Sequence, residues 1–477
     1  MQFVDKDLRS IQEARILVES ARDAQSLLKE YDQTTIDHMI NEIIDEVKKE
    51  IFELVTVEMI ETNKGKKEDR LFLWEKFITE FTKSLNEQVI GILDSGSNNE
   101  LKKIGVPLGV VAVILPAENT LLNALFASIS ALKAGNTVIL IPQPRTEKIV
   151  FKLLEVIQRT NTGLPKMSIS CMENTTIEGV KALVDQEAVA LVINIDVPEF
   201  FDLKTKQKPN IYGGIGSTPV FVERSADIPK AAQEIVRSRA FDNGLLPAAE
   251  QFVIAESVIV QELKSAMTKA GSYFMSAEEE KRLLAKLFLG SEINPAVIGK
   301  EAVTLAKMAG FEVPTETEVL VSEQPYIFDE NPFTVALKCP ILTFYLESDW
   351  IHACDKCIQL LKEKQNGHTL AIHSNNSAVI KEFALKKPVG RMIVNAGAGF
   401  AGIGLDSSLP LSLILGGMTT NRGFTAKNIT AKDLTYERVI SYSTTGNETT
   451  KVRETADKVE IDNQQMLFEK ILKKLME

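Results

Sequence analysis

A chain of 477 residues exceeds the length at which one hydrophobic core stops growing, so we expect two or three domains. Its 54 basic and 65 acidic residues give a formal net charge of −11, which argues against a protein that binds a nucleic-acid backbone. Four cysteines are too few for a disulfide framework, and neither a signal peptide nor a membrane-length apolar run is present. We therefore expect a cytoplasmic protein without nucleic-acid or membrane partners.

The N-terminal region predicts helices. From about Leu8 to Leu93, apolar residues recur at intervals of three and four, as at Ile36, Ile40 and Val47. The segments that follow are short apolar, mostly β-branched runs separated by helical stretches: Gly109–Pro116, Thr137–Pro142, Val189–Ile195 and Thr218–Val222. Fully apolar strands that alternate with helices are typical of a mostly parallel sheet covered on both faces.

A second series of strands and helices follows Phe241. Its predicted strands are Gln251–Ala255, Ala296–Ile298, Val319–Val321, Ile341–Tyr345, Leu370–His373 and Met392–Asn395, with a predicted helix at Glu279–Leu289. The stretch Gln464–Met476 predicts an amphipathic helix near the end of the chain. Two α/β domains in tandem are the simplest interpretation.

Short motifs spread along the chain point to one family. They are Pro107–Val111, Pro116 with Asn119, Pro142–Arg145, Gly214–Pro219, Phe241–Gly244, Glu250–Gln251, Gly367–Thr369 and Ser412–Gly416. In order and approximate spacing the chain resembles the CoA-acylating aldehyde dehydrogenases from about residue 8 to residue 440. The resemblance implies an α/β aldehyde dehydrogenase fold with a Rossmann-like cofactor domain within residues 1–240. It also implies a catalytic-type α/β domain at 241–420, and an oligomerisation arm and tail at 421–477.

The same resemblance implies ligands and partners. NAD or NADP is expected near Pro142, Pro144, Arg145, Gly214 and Gly216, CoA is a further expected ligand, and no metal is implied. A small aldehyde or an acyl-CoA is the expected substrate. The resemblance also favours a homo-oligomer, either a dimer or a tetramer, with a hetero-oligomer containing an active relative as the alternative.

Pro247 stands where the family keeps its nucleophilic cysteine. Aldehyde oxidation through a thioester needs a thiolate, and a pyrrolidine ring supplies neither a nucleophile nor a proton. Asn119 falls on the family's oxyanion donor, a role for which an amide N–H in a dry site is suited. The alternative role for Asn119 is the N-cap of a helix that begins near Leu121.

Two further departures lie on the cofactor side. The family places a threonine and paired glycines where this chain has Ile195 to Glu199, so that Asp196 brings charge and bulk to a loop that should approach phosphate. The alternative is that this loop turns its acids to solvent. Ala336 replaces a glutamate that holds the ribose hydroxyls in the family, and alanine accepts no hydrogen bond through its side chain. We therefore expect weakened dinucleotide binding.

Cys339 is the one thiol placed where it could substitute for the missing nucleophile, although a cysteine beside proline is more often a small buried hydrophobe. Cys354 and Cys357 predict core packing on one face of a helix over Trp350–Lys362 rather than a metal site. Two hypotheses follow. The preferred one is a family member that has lost its thiol chemistry and acts as a binding or regulatory homologue. The alternative is a working NAD(P)-dependent CoA-acylating dehydrogenase that uses Cys339.

Overall fold

The computed structural model describes residues 5–93, 101–160, 162–200, 208–213, 216–327, 332–362, 368–416 and 425–441. Three helices open it: α1 Lys6–Leu28, α2 Gln33–Thr62 and α3 Lys67–Ser84. Asp32 caps α2, because its side chain accepts a hydrogen bond from the Thr35 backbone N–H at 2.8 Å. Asn63, in the left-handed region at φ 51°, ends the helix. The apolar residues Ile36, Ile40 and Val47 are buried, which confirms the predicted helical period.

An antiparallel arm follows the helices. Strands β1 (Gly91–Leu93) and β2 (Leu101–Pro107) pair with each other, and the last described strand, Thr435–Ser441, pairs with the other edge of β2. On that last strand Tyr436, Val439 and Ile440 are exposed.

A five-stranded parallel sheet forms the first α/β unit. Its strands and helices are β3 Val110–Ile114, α4 Thr120–Lys133, β4 Thr137–Ile141, α5 Glu147–Gln158, β5 Ile169–Cys171, α6 Ile177–Val184, β6 Val189–Ile195 and β7 Asn210–Gly213. The strand order is β5-β4-β3-β6-β7. The chain runs outward from β3 to one edge and then returns to β6 on the other side. This reversal places a crevice between the carboxyl ends of β3 and β6, where Rossmann-like sheets bind their ligands.

A seven-stranded parallel sheet forms the second unit. Its strands are β8 Thr218–Val222, β9 Glu250–Glu256, β10 Ser272–Phe274, β13 Val319–Glu323, β14 Ile341–Glu347, β15 Thr369–His373 and β16 Arg391–Val394, while β11 Phe288–Leu289 and β12 Glu292–Ile293 pair separately. The strand order in the sheet is β10-β13-β14-β9-β8-β15-β16. The helices are α7 Ile228–Ala240, α8 Val260–Lys269, α9 Ala277–Leu287, α10 Ala302–Met308, α11 Trp350–Lys362, α12 Ser377–Lys386 and α13 Ala398–Gly402. The last strand of the arm is β17. Two parallel sheets with helices therefore confirm the predicted α/β fold.

One predicted strand is wrong. Ala296–Ile298 lies in a turn, where the Val297 backbone N–H donates to the Asn294 carbonyl at 3.1 Å. Val297 is nevertheless buried in the core beside α10, so its apolar character reflects burial and not a strand. The divisions at residues 240 and 420 stay predictions, although β8 already pairs within the second sheet. The predicted helix Gln464–Met476 lies outside the described residues. Within the described ranges, no helix is long and apolar enough to cross a membrane.

Candidate functional site

A cavity of about 60 Å³ lies at the carboxyl ends of β3 and β6. Its lining comes from segments that are distant in the chain, including Glu118 and Asn119 after β3, Asp196 after β6, Pro247 before β9 and Lys338 before β14. The cavity therefore occupies the crevice that the strand order defines. Pockets for cofactor-sized molecules usually measure about 300 to 1,000 Å³, so the space as it stands fits a few water molecules and not a dinucleotide.

Pro247 is half-buried in the turn that leads into β9. Gly216 packs directly on it, because a Cβ at Gly216 would lie 1.3 Å from the Pro247 carbonyl oxygen. Any side chain at position 216 would force the turn to move. His368 borders the same place, and its Nδ1 lies 2.6 Å from the Thr369 Oγ1. Burial, with a contribution from Arg391, lowers the pKa of His368 to about 3, so the imidazole is neutral at neutral pH.

Asn119 does not cap α4 with its side chain, although it occupies the N-cap position. Its Nδ2 donates instead to the Asp242 Oδ2 at 3.2 Å, and its Oδ1 has no hydrogen-bond partner among the described protein atoms. Glu58 of α2 supplies the cap, because its Oε1 accepts from the Leu121 backbone N–H at 3.0 Å. The capping alternative for Asn119 is therefore wrong, and its amide is tied to the segment before Pro247.

A buried ion network holds that segment. Arg70 of α3 lies between two carboxylates, with its Nη1 3.0 Å from the Glu58 Oε2 and its Nε 3.2 Å from the Asp242 Oδ1. All three side chains are fully buried. Burial raises the pKa of Asp242 to about 6 against the opposing effect of Arg70. Asp242 and Asn243 both have left-handed backbones, at φ 47° and 54°. The network thus fixes a strained turn beside the cavity.

A second chain of charges crosses the mouth of the cavity. The Glu118 carboxylate accepts from the Lys64 Nζ at 2.8 Å and from the Lys338 Nζ at 2.9 Å. Lys338 also pairs with the Asp196 Oδ2 at 2.9 Å. We call these four residues, Lys64, Glu118, Lys338 and Asp196, the mouth cluster. The alternative in which Asp196 turns to solvent is not what the structure shows, since its carboxylate faces Lys338.

The pKa values within the mouth cluster follow from burial and pairing. Burial opposes the ionisation of Glu118, but Lys338 and Lys64 overcome it and lower the pKa of Glu118 to about 2. For Asp196 burial dominates, so its pKa is raised even though Lys338 pulls it down. Burial also opposes the charge of Lys338, yet Asp196 and Glu118 together raise its pKa above the usual range. The cluster therefore pairs two basic side chains with two acidic ones.

Cys339 does not line the cavity. Its side chain is 1% exposed and packs in the core beneath β14, where burial raises the thiol pKa to about 12. A thiol in such surroundings is protonated at neutral pH and is a poor nucleophile. Ala336 is half-buried and precedes the cavity residues Leu337 and Lys338.

The predicted cofactor positions fall in different places. Pro142, Pro144 and Arg145 follow β4 at the same edge of the first sheet as the cavity, and Pro142 is buried while the other two are exposed. None of the three lines the cavity. Gly216 does line it, whereas Gly214 lies outside the described residues.

Cys354 and Cys357 are buried on α11, which confirms their predicted core packing. The Lys387 Nζ contacts the Cys354 sulfur within the same buried cluster. Among the described residues, no group of three histidine, cysteine, aspartate or glutamate side chains is arranged to hold a metal ion.

A five-stranded sheet of Rossmann order, with a site at its switch point beside a larger parallel sheet, defines an α/β protein with a Rossmann-like domain. Residues 7–281 match the model of the aldehyde dehydrogenase family, and the chain belongs to that family. It is 27% identical over 438 residues to a succinate-semialdehyde dehydrogenase (acetylating) of Clostridium kluyveri, with 90% of this chain and 94% of that protein covered. The chain spans about half the length of other curated relatives, which are aldehyde-alcohol dehydrogenases.

Solved structures agree with this assignment. An acetylating aldehyde dehydrogenase from Geobacillus thermoglucosidasius superimposes with a TM-score of 0.87 at 29% identity, covering 94% of this chain and 100% of that one. A probable aldehyde dehydrogenase from Listeria monocytogenes gives the same TM-score and coverage at 32% identity. An engineered glycolyl-CoA reductase with bound NADP+ shares the fold, with a TM-score of 0.79 at 23% identity, covering 90% of this chain and 96% of that one.

Proposed function

We propose that this chain is a CoA-acylating-type aldehyde dehydrogenase homologue that does not perform thiol-dependent aldehyde oxidation and acts as a binding or regulatory protein. The observation that carries the proposal is Pro247, which lies on the cavity at the position where the resemblance places the nucleophile. Cysteine is absent from the described residues that line the cavity. Removing a catalytic nucleophile typically lowers turnover by on the order of a millionfold.

The alternative enzyme would use Cys339, and the geometry disfavours it. The Cys339 thiol is buried away from the cavity, and its pKa of about 12 leaves almost no thiolate at neutral pH. Reaching an aldehyde beside Asn119 would require β14 and its preceding loop to move. The family's oxyanion role for Asn119 also needs a nucleophile that attacks a carbonyl next to it.

Turnover assays test the proposal. Purified full-length protein is given a short aldehyde, CoA and NAD or NADP, and NADH or NADPH formation is followed by absorbance. We expect no turnover above background, and we expect Cys339→Ala to behave as the unaltered protein does. Turnover that disappears in Cys339→Ala would establish the alternative and refute the proposal. Pro247→Cys is the matched variant, since it returns a sulfur to the cavity while leaving the mouth cluster in place.

The proposal extends to ligands and assembly. We propose weakened binding of NAD or NADP, supported by the small cavity and by the carboxylate of Asp196 within it. Binding of CoA, an acyl-CoA or a small aldehyde is proposed by analogy with the family.

A homo-oligomer is supported by the exposed apolar residues Tyr436, Val439 and Ile440 on the arm, and light scattering after gel filtration measures its size. Four free cysteines, all buried, are in keeping with the proposed cytoplasmic location.

A further inference from the structure

The mouth cluster joins parts of the chain that belong to different units. Lys64 follows α2, Glu118 follows β3, Asp196 follows β6, and Lys338 precedes β14 of the second sheet. Side-chain exposure ranges from 10% for Glu118 to 28% for Lys338, so the charges are only partly hydrated. Pairs in such surroundings interact more strongly than pairs in open solvent. The cluster therefore closes the cleft between the two sheets with an internal set of ion pairs.

Asp196 is the member of the cluster whose backbone is unusual. Its φ of 54° lies in the left-handed region, and its N–H donates to the Gly213 carbonyl at 2.8 Å. Glycine adopts this conformation without steric cost, and aspartate is one of the few other residues that tolerate it. The resemblance places a glycine at this position. The turn itself is thus compatible with glycine, and what the aspartate adds is a carboxylate directed at Lys338.

Lys338 is the natural contact for an anion in this crevice. It projects toward the carboxyl ends of β3 and β6, where ligand phosphates lie in Rossmann-like sheets. Its ammonium group has three donors, and the Glu118 and Asp196 carboxylates take up two of them at 2.9 Å each. An incoming phosphate would have to compete with the Asp196 carboxylate for the cation, and like charges at a binding surface oppose association.

We infer that Asp196 is an autoinhibitory residue whose carboxylate occupies Lys338 in place of a ligand phosphate and so keeps phosphate-bearing dinucleotides out of the cleft. Glu118 has a different part, since it pairs with both Lys338 and Lys64. This inference deepens the proposed function because it states how the cleft is closed. It rests on the proposed weakening of dinucleotide binding and concerns binding and not turnover, so the titration below can overturn it while the turnover assay still supports the loss of thiol chemistry.

The test is calorimetric titration of the full chain with NAD+ and NADP+ at low salt. We expect Asp196→Gly to bind at least tenfold more tightly than the unaltered protein. Adding Lys338→Met to that variant should abolish the gain, because the freed cation is then absent. Asp196→Asn, which keeps the side-chain size and tolerates a positive φ, should show part of the gain and serves as the test should the glycine variant not fold.

Glu199→Gln is the matched control, because Glu199 is an exposed acid on the same loop that pairs with none of the cluster. We expect it to leave both affinities unchanged. Equal affinities for the unaltered protein and for the Asp196 variants would overturn the inference. A gain in Glu199→Gln as large as that in Asp196→Gly would also overturn it, because the effect would then come from the general charge of the loop.

Discussion

Replacing Arg70 with methionine removes the cation that separates two buried carboxylates. Glu58 and Asp242 would then lie in the interior without their counterion, since all three side chains are fully buried. Removing one partner of a buried ion pair costs about 3–5 kcal/mol. We expect a loss of unfolding free energy in that range, because α2 and α3 would no longer be fastened to the turn that precedes Pro247.

The size of this loss should depend on pH. In the native protein the pKa of Asp242 is about 6, above its ordinary value of 3.8. Ionisation of this group therefore lowers the free energy of unfolding as pH rises from about 4 to about 6. Without Arg70 the pKa rises further, and the window extends to higher pH. In the Arg70→Met variant, keeping a proton on Asp242 costs less at pH 5.5 than at pH 8. We therefore expect the larger loss at pH 8.

Urea denaturation at pH 5.5 and pH 8 measures both effects, with the free energy taken from the midpoint at an unchanged slope. Lys83→Met is the matched control. It removes an ion pair to Glu80 that is shorter, at 2.7 Å, than the 3.0 and 3.2 Å pairs of Arg70, but Lys83 is 66% exposed, so the change should cost less than about 1 kcal/mol. A loss for Arg70→Met at pH 8 as small as that of the control would refute the argument that the buried network holds this turn.

Other predictions use groups away from the cavity. Burial raises the pKa of Glu250 from 4.5 to about 7, so the free energy of unfolding of the native protein falls as pH rises through that window. The side chain in Glu250→Gln does not titrate. In urea denaturation the free energy of unfolding of this variant, relative to that of the native protein, should therefore rise by about 3 kcal/mol between pH 4.5 and pH 8. All four cysteine thiols are buried. A thiol-reactive disulfide reagent at pH 8 should therefore label none of them quickly in the folded protein and all four in denaturant. Rapid labelling of Cys339 in the folded protein would contradict the burial of its side chain. Phe126 packs on Phe77 and Phe81 at centroid distances of 5.7 and 5.1 Å, and Phe126→Ala should cost about 3–5 kcal/mol in urea denaturation, whereas the exposed Phe52→Ala should cost far less.

The fold was predictable where local pattern and tertiary environment agree. The apolar stripe of α2 and the β-branched runs of β3, β4 and β6 are buried as their periods require. Ala296–Ile298 shows the limit of this reasoning. Three apolar residues beside a core can form a turn when neighbouring carbonyl groups accept hydrogen bonds from them. The apolar period of so short a run does not distinguish a strand from a turn.

The site was only partly predictable. The resemblance located Pro247, Asn119 and Asp196, and all three lie on one cavity. No local pattern indicates that Asp196 pairs with Lys338, because the two residues are far apart in the chain and meet only when both sheets are in place. The pairing of Arg70 with Glu58 and Asp242 was not predictable from local pattern either. The signal for it is a charged residue on the buried face of α3, because a buried charge needs a partner of opposite sign.

Four residues around the cavity that are not glycine share a left-handed backbone: Asn119, Asp196, Asp242 and Asn243. The turns around the cavity are therefore shaped in part by the main chain, and the buried ion pairs of Arg70 hold the turn that precedes Pro247. A superposition of Cα positions compares the backbone of such turns. It does not detect whether the side chain at one position carries a sulfur atom. For this molecule, likeness to the solved aldehyde dehydrogenases therefore reports the course of the backbone, whereas reactivity depends on the individual side-chain atoms in the cavity.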